Sequence, residues 1–300
     1  MASGERADRI LTIDIGNTIR KISVMEGEEV LETLLGSSAT PDNMVSLVGR
    51  YGVTGAVFCA VGKDEDSLAA RVRDMGITCL ELDGDTPVPV TVDYDRHHLG
   101  PDRLAAVCGV AREGEDFLLA DAGTALTLDM TSGMRYLGGN ISPGIRLRIE
   151  SLHKFTHRLP LVDVEGKTPL LGHDTHEAIR SGVLRGIAYE IAGTLQAVRE
   201  SHRDVRLVLT GGNMPAVCRY LTLMGVPHTV DSCAVARGLV RIFKFRARSL
   251  KFRGRRGGSF RAGFSSRGGS DASIVTDETS ENMPKRDGAE VILIPSGLCP

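Results

Sequence analysis

The chain has 300 residues, of which 42% are hydrophobic and 25% are charged, and its formal net charge at pH 7 is −2. This composition is that of a globular protein with room for one large domain or two of ordinary size. The near-neutral charge gives no overall reason to expect a nucleic acid or a membrane surface as the main partner.

The six cysteines are scattered without a Cys-x-x-Cys pair. Their spacing therefore predicts neither a zinc knuckle nor a disulfide framework, and it fits a reducing cytoplasm. The first ten residues contain no apolar signal core, and no segment approaches the length needed to span a bilayer. We therefore expect a cytoplasmic protein with no membrane partner.

The first half of the chain alternates apolar strands with helical patterns. Tightly joined strands are predicted at 10–15 and 19–25, with turn residues between them. The elements predicted next are a strand over 56–61, a helix over 64–75, a strand over 77–82 and a helix over 101–112. This alternation predicts an α/β domain.

A second hairpin is predicted from strands at 117–120 and 125–130. It is followed by a helix over 145–157 and by the clearest helix of the chain, over 175–200, whose apolar residues recur on one face. Asp174 and Glu177 form a capping-box-like start for that helix. A strand ending in Gly-Gly and a helix over 214–224 complete the organised pattern, which stops near Phe243.

The C-terminal segment differs from the rest in composition. Residues 244–267 contain nine Lys and Arg but no Asp or Glu, and a polar acidic stretch follows. Such a segment cannot bury enough apolar area to fold by itself, so residues 246–300 are predicted to be a disordered tail. Contact between this basic tail and nucleic acid is a weaker alternative than a solvated extension.

An unusual turn occurs twice, as Asp14-Ile15-Gly16-Asn17-Thr18 and as Asp121-Ala122-Gly123-Thr124. Glycine lets backbone N–H groups approach a phosphate oxygen, and Asn or Thr side chains add donors. A carboxylate repels phosphate but can hold Mg²⁺, which needs only one or two carboxylates beside phosphate oxygens. A single Asp-Gly turn is ordinary hairpin chemistry, whereas two matching copies predict a duplicated fold that clamps nucleotide phosphates from both sides.

Asp102 and Arg103 open a predicted helix, where unpaired N–H groups favour anions. Arg103 could neutralise an acidic substrate while Asp102 accepts a proton from its hydroxyl. Taken alone, this segment is better explained as an ordinary helix start with a solvent-exposed Arg103. The Gly-Lys-Thr at 166–168 is not a P-loop, because Leu161 stands where the motif needs glycine.

Seven segments occur together in one order. They are DIGNT (14–18), GPDR (100–103), DAGTALTLD (121–129), GGNISPG (138–144), THRLP (156–160), GHDTHEAIRSG (172–182) and LTGG (209–212). In this order they resemble the type III pantothenate kinases, members of the actin-like, sugar-kinase and heat-shock-protein ATPase superfamily. The resemblance covers residues 10–243 and does not include the tail.

The resemblance implies a fold of two actin-like ATPase (ribonuclease H-like) halves, 10–115 and 116–243, on either side of a nucleotide cleft. Asp14 would lie near Mg²⁺, and Asp121 would be the ligand of a monovalent cation, K⁺ or NH₄⁺. The residues implied to bind ATP are Asp14, Ile15, Gly16, Asn17, Thr18, Ile19, Arg20, Lys21 and Thr124.

On the acceptor side, the resemblance implies that Asp102 is the catalytic proton acceptor. The residues implied to bind the substrate are Tyr94, Gly100, Pro101, Asp102, Arg103 and Thr175. One departure affects this site: the segment after Tyr94 reads YDRHHLG, with His97 and His98 where family members often carry proline. A reshaped pocket would affect the assignment of Tyr94 more than that of Asp102.

The implied reaction is ATP-dependent phosphorylation of pantothenate to 4′-phosphopantothenate, the first step of coenzyme A biosynthesis. A twofold homodimer is the expected assembly, with the 175–200 helix as a candidate interface element, although core packing explains its pattern equally well. Two alternatives stay open. They are a non-catalytic regulatory protein like the Bvg accessory factors and a kinase of another small hydroxy acid on the same fold.

Overall fold

Two mixed β-sheets form the framework of the protein. The structure is a computed structural model that describes residues 8–16, 18–60 and 65–256, except for the side chains of residues 60, 65–67 and 250–256. Asn17 and residues 257–300, which make up most of the predicted tail, lie outside the described residues.

The first sheet has five strands in the order β3-β2-β1-β4-β5. The strands are β1 (Arg9–Ile15), β2 (Arg20–Glu26), β3 (Glu29–Leu35), β4 (Gly55–Ala60) and β5 (Thr78–Glu81). The helices α1 (Pro41–Tyr51) and α2 (Glu65–Asp74) lie between its later strands in sequence. Thr40 caps α1, because its hydroxyl accepts the N–H of Asn43, and Pro41 occupies the first turn.

The second sheet has six strands in the order β11-β10-β7-β8-β9-β6. Its strands are β6 (Thr91–Val92), β7 (Asp116–Ala122), β8 (Ala125–Ser132), β9 (Arg135–Pro143), β10 (Arg206–Thr210) and β11 (Thr229–Val230). The helices that accompany it are α4 (Ile145–Phe155), α5 (Thr175–Arg199) and α6 (Met214–Leu223). The carboxylate of Asp174 caps α5 by accepting the N–H of Glu177, as the sequence predicts.

The two sheets repeat one topology. In the first, β1 pairs antiparallel with β2 and parallel with β4. On the outer sides, β3 is antiparallel to β2 and β5 is parallel to β4. In the second, β7 pairs antiparallel with β8 and parallel with β10 in the same arrangement. This repetition confirms the predicted fold class, a duplicated actin-like α/β architecture. The boundary predicted between the halves near residue 115 stays a prediction.

Helices α3 (Pro101–Val110) and α7 (Ala234–Arg256) pack against both sheets. One buried cluster joins them to strands of the first sheet, and a smaller one joins Ala106 and Ala234 to β7 and β10. The remaining cores lie under α1 and α2 and under α4, α5 and α6. No helix in the described part of the chain is both long enough and apolar enough to cross a bilayer.

Two sequence interpretations change in the structure. The apolar face of α5 is buried in the core of its own chain, so core packing explains its periodicity without a subunit interface. Helix α7 continues to Arg256, although the folded part was expected to stop near Phe243. Its basic residues extend a helix whose earlier turns are anchored by buried Leu239, Val240 and Ile242.

Glycines set the spacing at which α3 and α7 cross. A Cβ on Gly238 would overlap the carbonyl oxygen of Ala105, and one on Gly109 would overlap that of Ala234. The backbones of the two helices therefore approach more closely than any larger residue permits.

Replacing Gly238 with Ala should lower the free energy of unfolding by about 1–3 kcal/mol, because the helices must separate. Gly193→Ala is the matched control, since it lies within α5 and an added Cβ there meets nothing within 4 Å. The control should be more stable by about 0.5–1 kcal/mol. Urea unfolding measures the free energy of unfolding of both variants. Equal changes in that free energy would contradict this account of the helix crossing.

Candidate active site

The two Asp-containing turns lie against each other. One turn joins β1 to its antiparallel partner β2, and the other joins β7 to its antiparallel partner β8. The hydroxyl oxygens of Thr18 and Thr124 form a hydrogen bond of 2.7 Å, although they are 106 residues apart in sequence. Both threonines are exposed, so they are accessible to a ligand.

Asp14 occupies an electrostatically unfavourable position. Burial raises its pKa to about 6, and the nearby charge of Asp102 adds to the rise. Lys21 lowers the pKa of Asp14, since it lies directly opposite on β2. A proton or a bound cation therefore stabilises this carboxylate more than it would a carboxylate in water.

The position of Asp121 is also electrostatically unfavourable, and its pKa is raised further than that of Asp14. Burial raises its pKa to about 7, and the charges of Asp102, Asp14 and Asp129 contribute in that order. Lys21 again acts in the opposite sense. The structure thus brings Asp14, Asp102 and Asp121, which are far apart in sequence, into one negatively charged site.

The second turn is held by a segment whose role the sequence did not reveal. The side-chain amide of Asn213 donates to the carbonyl of Gly123 over 3.0 Å, and its backbone N–H donates to Ala122 over 2.9 Å. Gly211 adopts a φ of 93°, and a Cβ there would overlap the Asp121 carboxylate. The Gly-Gly-Asn turn after β10 therefore supports the Asp121 turn, a role that its glycines could have suggested.

The first turn uses its residues in different ways. Ile15 is buried in the core, so only its backbone is available to a nucleotide, whereas Ile19 is 52% exposed. Arg20 donates to the carbonyl of Ala39 over 3.1 Å, which ties the turn to the segment before α1. Asn17, a predicted phosphate contact, lies outside the described residues.

Asp102 stands at the start of α3, next to the two turns. Gly100 is the N-cap and Pro101 the first helical residue. The Oδ1 atom of Asp102 accepts the backbone N–H of Arg103 over 2.8 Å. The Asp102 side chain is partly exposed and forms no ion pair within the described part of the chain. It can therefore accept a hydrogen bond from an incoming hydroxyl.

The side chain of Arg103 faces the interior, whereas the sequence suggested that it would be available to neutralise an acidic substrate. Its side chain is 6% exposed and pairs with Asp129, with Nη2 and Oδ1 2.6 Å apart. Its guanidinium carbon lies 5.7 Å from the ring centre of Tyr94, which is itself half-buried. The negative charge of Asp129 thus already balances Arg103, and its predicted contact with substrate stays a prediction.

The remaining predicted residues lie at the periphery. Thr175 is exposed at the first position of α5. His97 and His98 are exposed: His97 Nε2 lies 3.7 Å from a carboxylate oxygen of Asp85, in the connection before β6, and His98 Nδ1 lies 2.7 Å from one of Asp95. The departure from the family pattern at these histidines is therefore a surface feature.

No group of three or more His, Cys, Asp or Glu side chains converges to hold a metal by itself among the residues that the structure describes. Asp14 and Asp121 nevertheless fit cations, because both are carboxylates whose burial penalises the charged form. Such a site suits Mg²⁺, which takes most of its ligands from phosphate oxygens and water.

Comparison with known proteins places this geometry in a family. The family model for type III pantothenate kinase matches residues 10–197. A type III pantothenate kinase of Bacteroides fragilis is 38% identical over 207 residues, which are 68% of this chain and 85% of that protein. Another, of Porphyromonas gingivalis, is 35% identical over 217 residues, or 70% and 89% of the two chains.

Among solved structures, a Baf family transcriptional activator from Campylobacter jejuni aligns with a TM-score of 0.53 at 21% identity, covering 79% of this chain and 99% of that one. At this identity the likeness supports the fold alone.

Proposed function

The chain belongs to the type III pantothenate kinase family, and we propose that it transfers the γ-phosphoryl group of ATP to the primary hydroxyl of pantothenate. The product would be 4′-phosphopantothenate, the first intermediate towards coenzyme A. The observation that carries the proposal is the convergence of Asp14, Asp102 and Asp121 where the two turns meet.

Each turn has a role in binding the nucleotide. The hydroxyls of Thr18 and Thr124, with the backbone N–H groups beside them, would contact phosphate oxygens from both sides. Asp14 would hold Mg²⁺ and Asp121 a monovalent cation, and these ions would supply charge neutralisation for the phosphates. Lys21, opposite Asp14, would add a positive charge on the same side.

Asp102 would act on the acceptor. Its partly exposed carboxylate can orient the pantothenate hydroxyl and receive its proton as the O–P bond forms. Phosphoryl transfer needs little covalent participation by the protein, so alignment of this hydroxyl with the γ-phosphate is the main contribution. Tyr94, beside Arg103, would form one wall of the acceptor site.

An assay of the purified full chain with Mg·ATP and a panel of small hydroxy acids that includes pantothenate tests the proposal. We expect ADP and 4′-phosphopantothenate to form in equal amounts, with pantothenate preferred. Phosphorylation of a different hydroxy acid would reassign the substrate. If ATP is bound but no acceptor is phosphorylated, a regulatory role like that of the Bvg accessory factors would replace the kinase reaction.

We also propose a homodimer. Exposed large apolar side chains concentrate between residues 141 and 171, where four are more than 60% exposed, namely Ile141, Phe155, Leu170 and Leu171. Where exposed apolar side chains form a contiguous patch, the patch is typical of a protein interface. A second copy of the chain is the occupant that the family leads us to expect, and Thr175 follows this segment directly.

Phe155→Glu combined with Leu171→Glu should weaken dimerisation by at least about tenfold, because large apolar anchors dominate interface energies. Light scattering over a range of protein concentrations measures the change. Leu223→Glu is the control, since Leu223 on α6 is 68% exposed but lies outside this segment. A monomeric wild-type protein, or equal weakening by the control, would contradict the assignment.

A further inference from the structure

A buried polar network lies directly behind the acceptor site. The Asp129 side chain is 1% exposed, and its Oδ1 accepts hydrogen bonds from Nε of Arg103 over 3.1 Å and from Nη2 over 2.6 Å. The Tyr136 hydroxyl donates to the same Oδ1 over 2.8 Å and accepts from Arg103 Nη2 over 3.0 Å. One carboxylate oxygen therefore receives three hydrogen bonds.

This network joins the start of α3 to the second sheet. Arg103 follows Asp102 at the start of α3, whereas Asp129 lies on β8, the strand that begins directly after Thr124. Tyr136 lies on β9, which pairs with β8. The ion pair thus adds a polar side-chain link, beside the apolar contacts of Ala106 with β7, between the helix that carries Asp102 and the hairpin that would hold the nucleotide phosphates.

Stability alone is a weak reason for such a pair, because burying two charges costs desolvation that apolar side chains of similar volume would avoid. The surroundings nevertheless make room for it. Gly139 lies opposite Asp129 in the β8–β9 register, and a Cβ there would be 2.5 Å from Asp129 Oδ1 and 2.8 Å from Arg103 Nη2. Tyr94 covers the guanidinium from another side, with its ring centre 6.1 Å from that of Tyr136.

The pair also determines where the Arg103 charge is placed. Asp102 and Arg103 are neighbours, and a guanidinium released from Asp129 could form an ion pair with Asp102 instead. In the structure, Nε and Nη2 of Arg103 point to Asp129, and Asp102 is bonded only to the backbone N–H of Arg103 among the contacts of the described residues. The carboxylate of Asp102 thereby stays available to a hydroxyl.

We propose that Asp129 and Tyr136 are positioning residues of the acceptor site. They hold the Arg103 guanidinium away from Asp102 and fix the start of α3 relative to the Thr124 turn. The inference rests on the proposed function, since the acceptor hydroxyl must be aligned with the phosphate to be transferred. Neither residue need touch the substrate.

The test uses the full chain with two variants, Asp129→Asn and Tyr136→Phe, of which the second keeps both charges and the ring. We expect kcat to fall about 10–100-fold in Asp129→Asn and about 3–10-fold in Tyr136→Phe, because a misplacement of about 1 Å can cost 10²-fold. The KM for ATP should change by less than about twofold. The amount of ADP formed per phosphorylated acceptor should rise above one, since a misaligned acceptor lets water compete.

That product ratio separates positioning from stability, because partial unfolding lowers both products equally. Ile191→Val is the control, a conservative change at a fully buried position in α5, distant in sequence from the network. Its product ratio should stay at one. A ratio of one in both network variants, with kcat reduced only in proportion to the folded fraction, would overturn the proposal.

The activity of the wild-type protein shows separately whether the proposed function itself is wrong. If the wild type uses another hydroxy acid, the same ratios are measured with that acceptor. If it uses none, amide hydrogen exchange of residues 100–105 decides. Faster exchange in Asp129→Asn than in Ile191→Val supports a network that fixes the start of α3, and equal exchange in the two variants overturns it.

Discussion

Replacing Asp102 with Asn should lower kcat for pantothenate by about 10²–10⁴-fold, the usual contribution of a positioned proton acceptor. Asparagine keeps the size of the side chain and its carbonyl oxygen, so the backbone hydrogen bond from Arg103 can persist. It removes the basic oxygen that would receive the proton. Because the transition state of phosphoryl transfer is loose, a base that mainly orients the hydroxyl would place the loss at the lower end of this range.

Asp42→Asn is a matched control for this experiment. Asp42 follows Pro41 in the first turn of α1, as Asp102 follows Pro101 in α3, but it is exposed and lies in the first sheet's outer layer. Its kcat should match that of the wild type. The dissociation constant for ATP should stay within about twofold in both variants, as measured by calorimetry with Mg·ATP. If Asp102→Asn retained most of its kcat, the assignment of the proton acceptor would be wrong.

Much of the fold follows from local patterns in the sequence. The two Asp-containing hairpins are predicted because apolar strands flank a turn of Gly, Asn and Thr, residues that favour chain reversal. Helix α5 was predicted to within one residue of its end, since its apolar periodicity and its Asp174 cap agree. The repeated topology of the sheets then agrees with the repetition of the turn itself.

The elements missed have identifiable physical reasons. Strand β9 is absent from the elements predicted above, because Gly138, Gly139 and Pro143 are unfavourable in strands, yet it pairs with β8 over most of its length. Helix α7 was not assigned, since its basic residues dominate its composition and its anchoring depends on distant contacts with α3. Tertiary contacts override local preference in both cases.

The sequence identifies candidate residues of the site but not the charges that surround them. The motifs identify Asp14, Asp102, Asp121 and Arg103, but the partner of Arg103 is 26 residues away on another element. A charged residue within the apolar pattern of β8 was the available signal, because buried charges require partners. The mutual effects of the carboxylates on their pKa values could not be read from sequence, since they depend on burial and separation.

Those effects imply that, without cations, the buried Asp121 carboxylate lowers the stability of the protein most at the pH where the enzyme would work. The pKa of Asp121 is raised from 3.8 to about 7 in the folded state. Between these values the unfolded chain ionises while the folded protein keeps its proton, so the folded state binds more protons and its stability falls as pH rises. The loss is complete above pH 7, where it is on the order of 2–4 kcal/mol.

Asp121→Asn should therefore make the cation-free protein more stable at pH 8, by roughly 1–3 kcal/mol, while it abolishes most of the ATP-dependent activity. The asparagine removes the charge that burial penalises, and with it the repulsion that Asp102, Asp14 and Asp129 exert on Asp121. At pH 4 the difference in stability should nearly vanish, because Asp121 is then protonated in the folded wild type. Urea unfolding in Tris chloride at pH 8 and in Tris acetate at pH 4 measures this, with exposed Asp204→Asn as a control that shows no such pH dependence.

The same charge should make wild-type activity depend on K⁺ or NH₄⁺, because a bound cation lets Asp121 stay ionised beside the ATP phosphates. Adding K⁺ at pH 8 should stabilise the wild type more than Asp121→Asn, and more at pH 8 than at pH 5. Activity of equal size in buffer with Na⁺ as the sole monovalent metal ion would contradict a specific site. A variant no more stable than the wild type at pH 8 would instead contradict the unfavourable burial of this carboxylate. The two outcomes are independent. The first measures cation selectivity, and the second measures the electrostatic cost of ionising Asp121 without a cation, which cation binding would relieve.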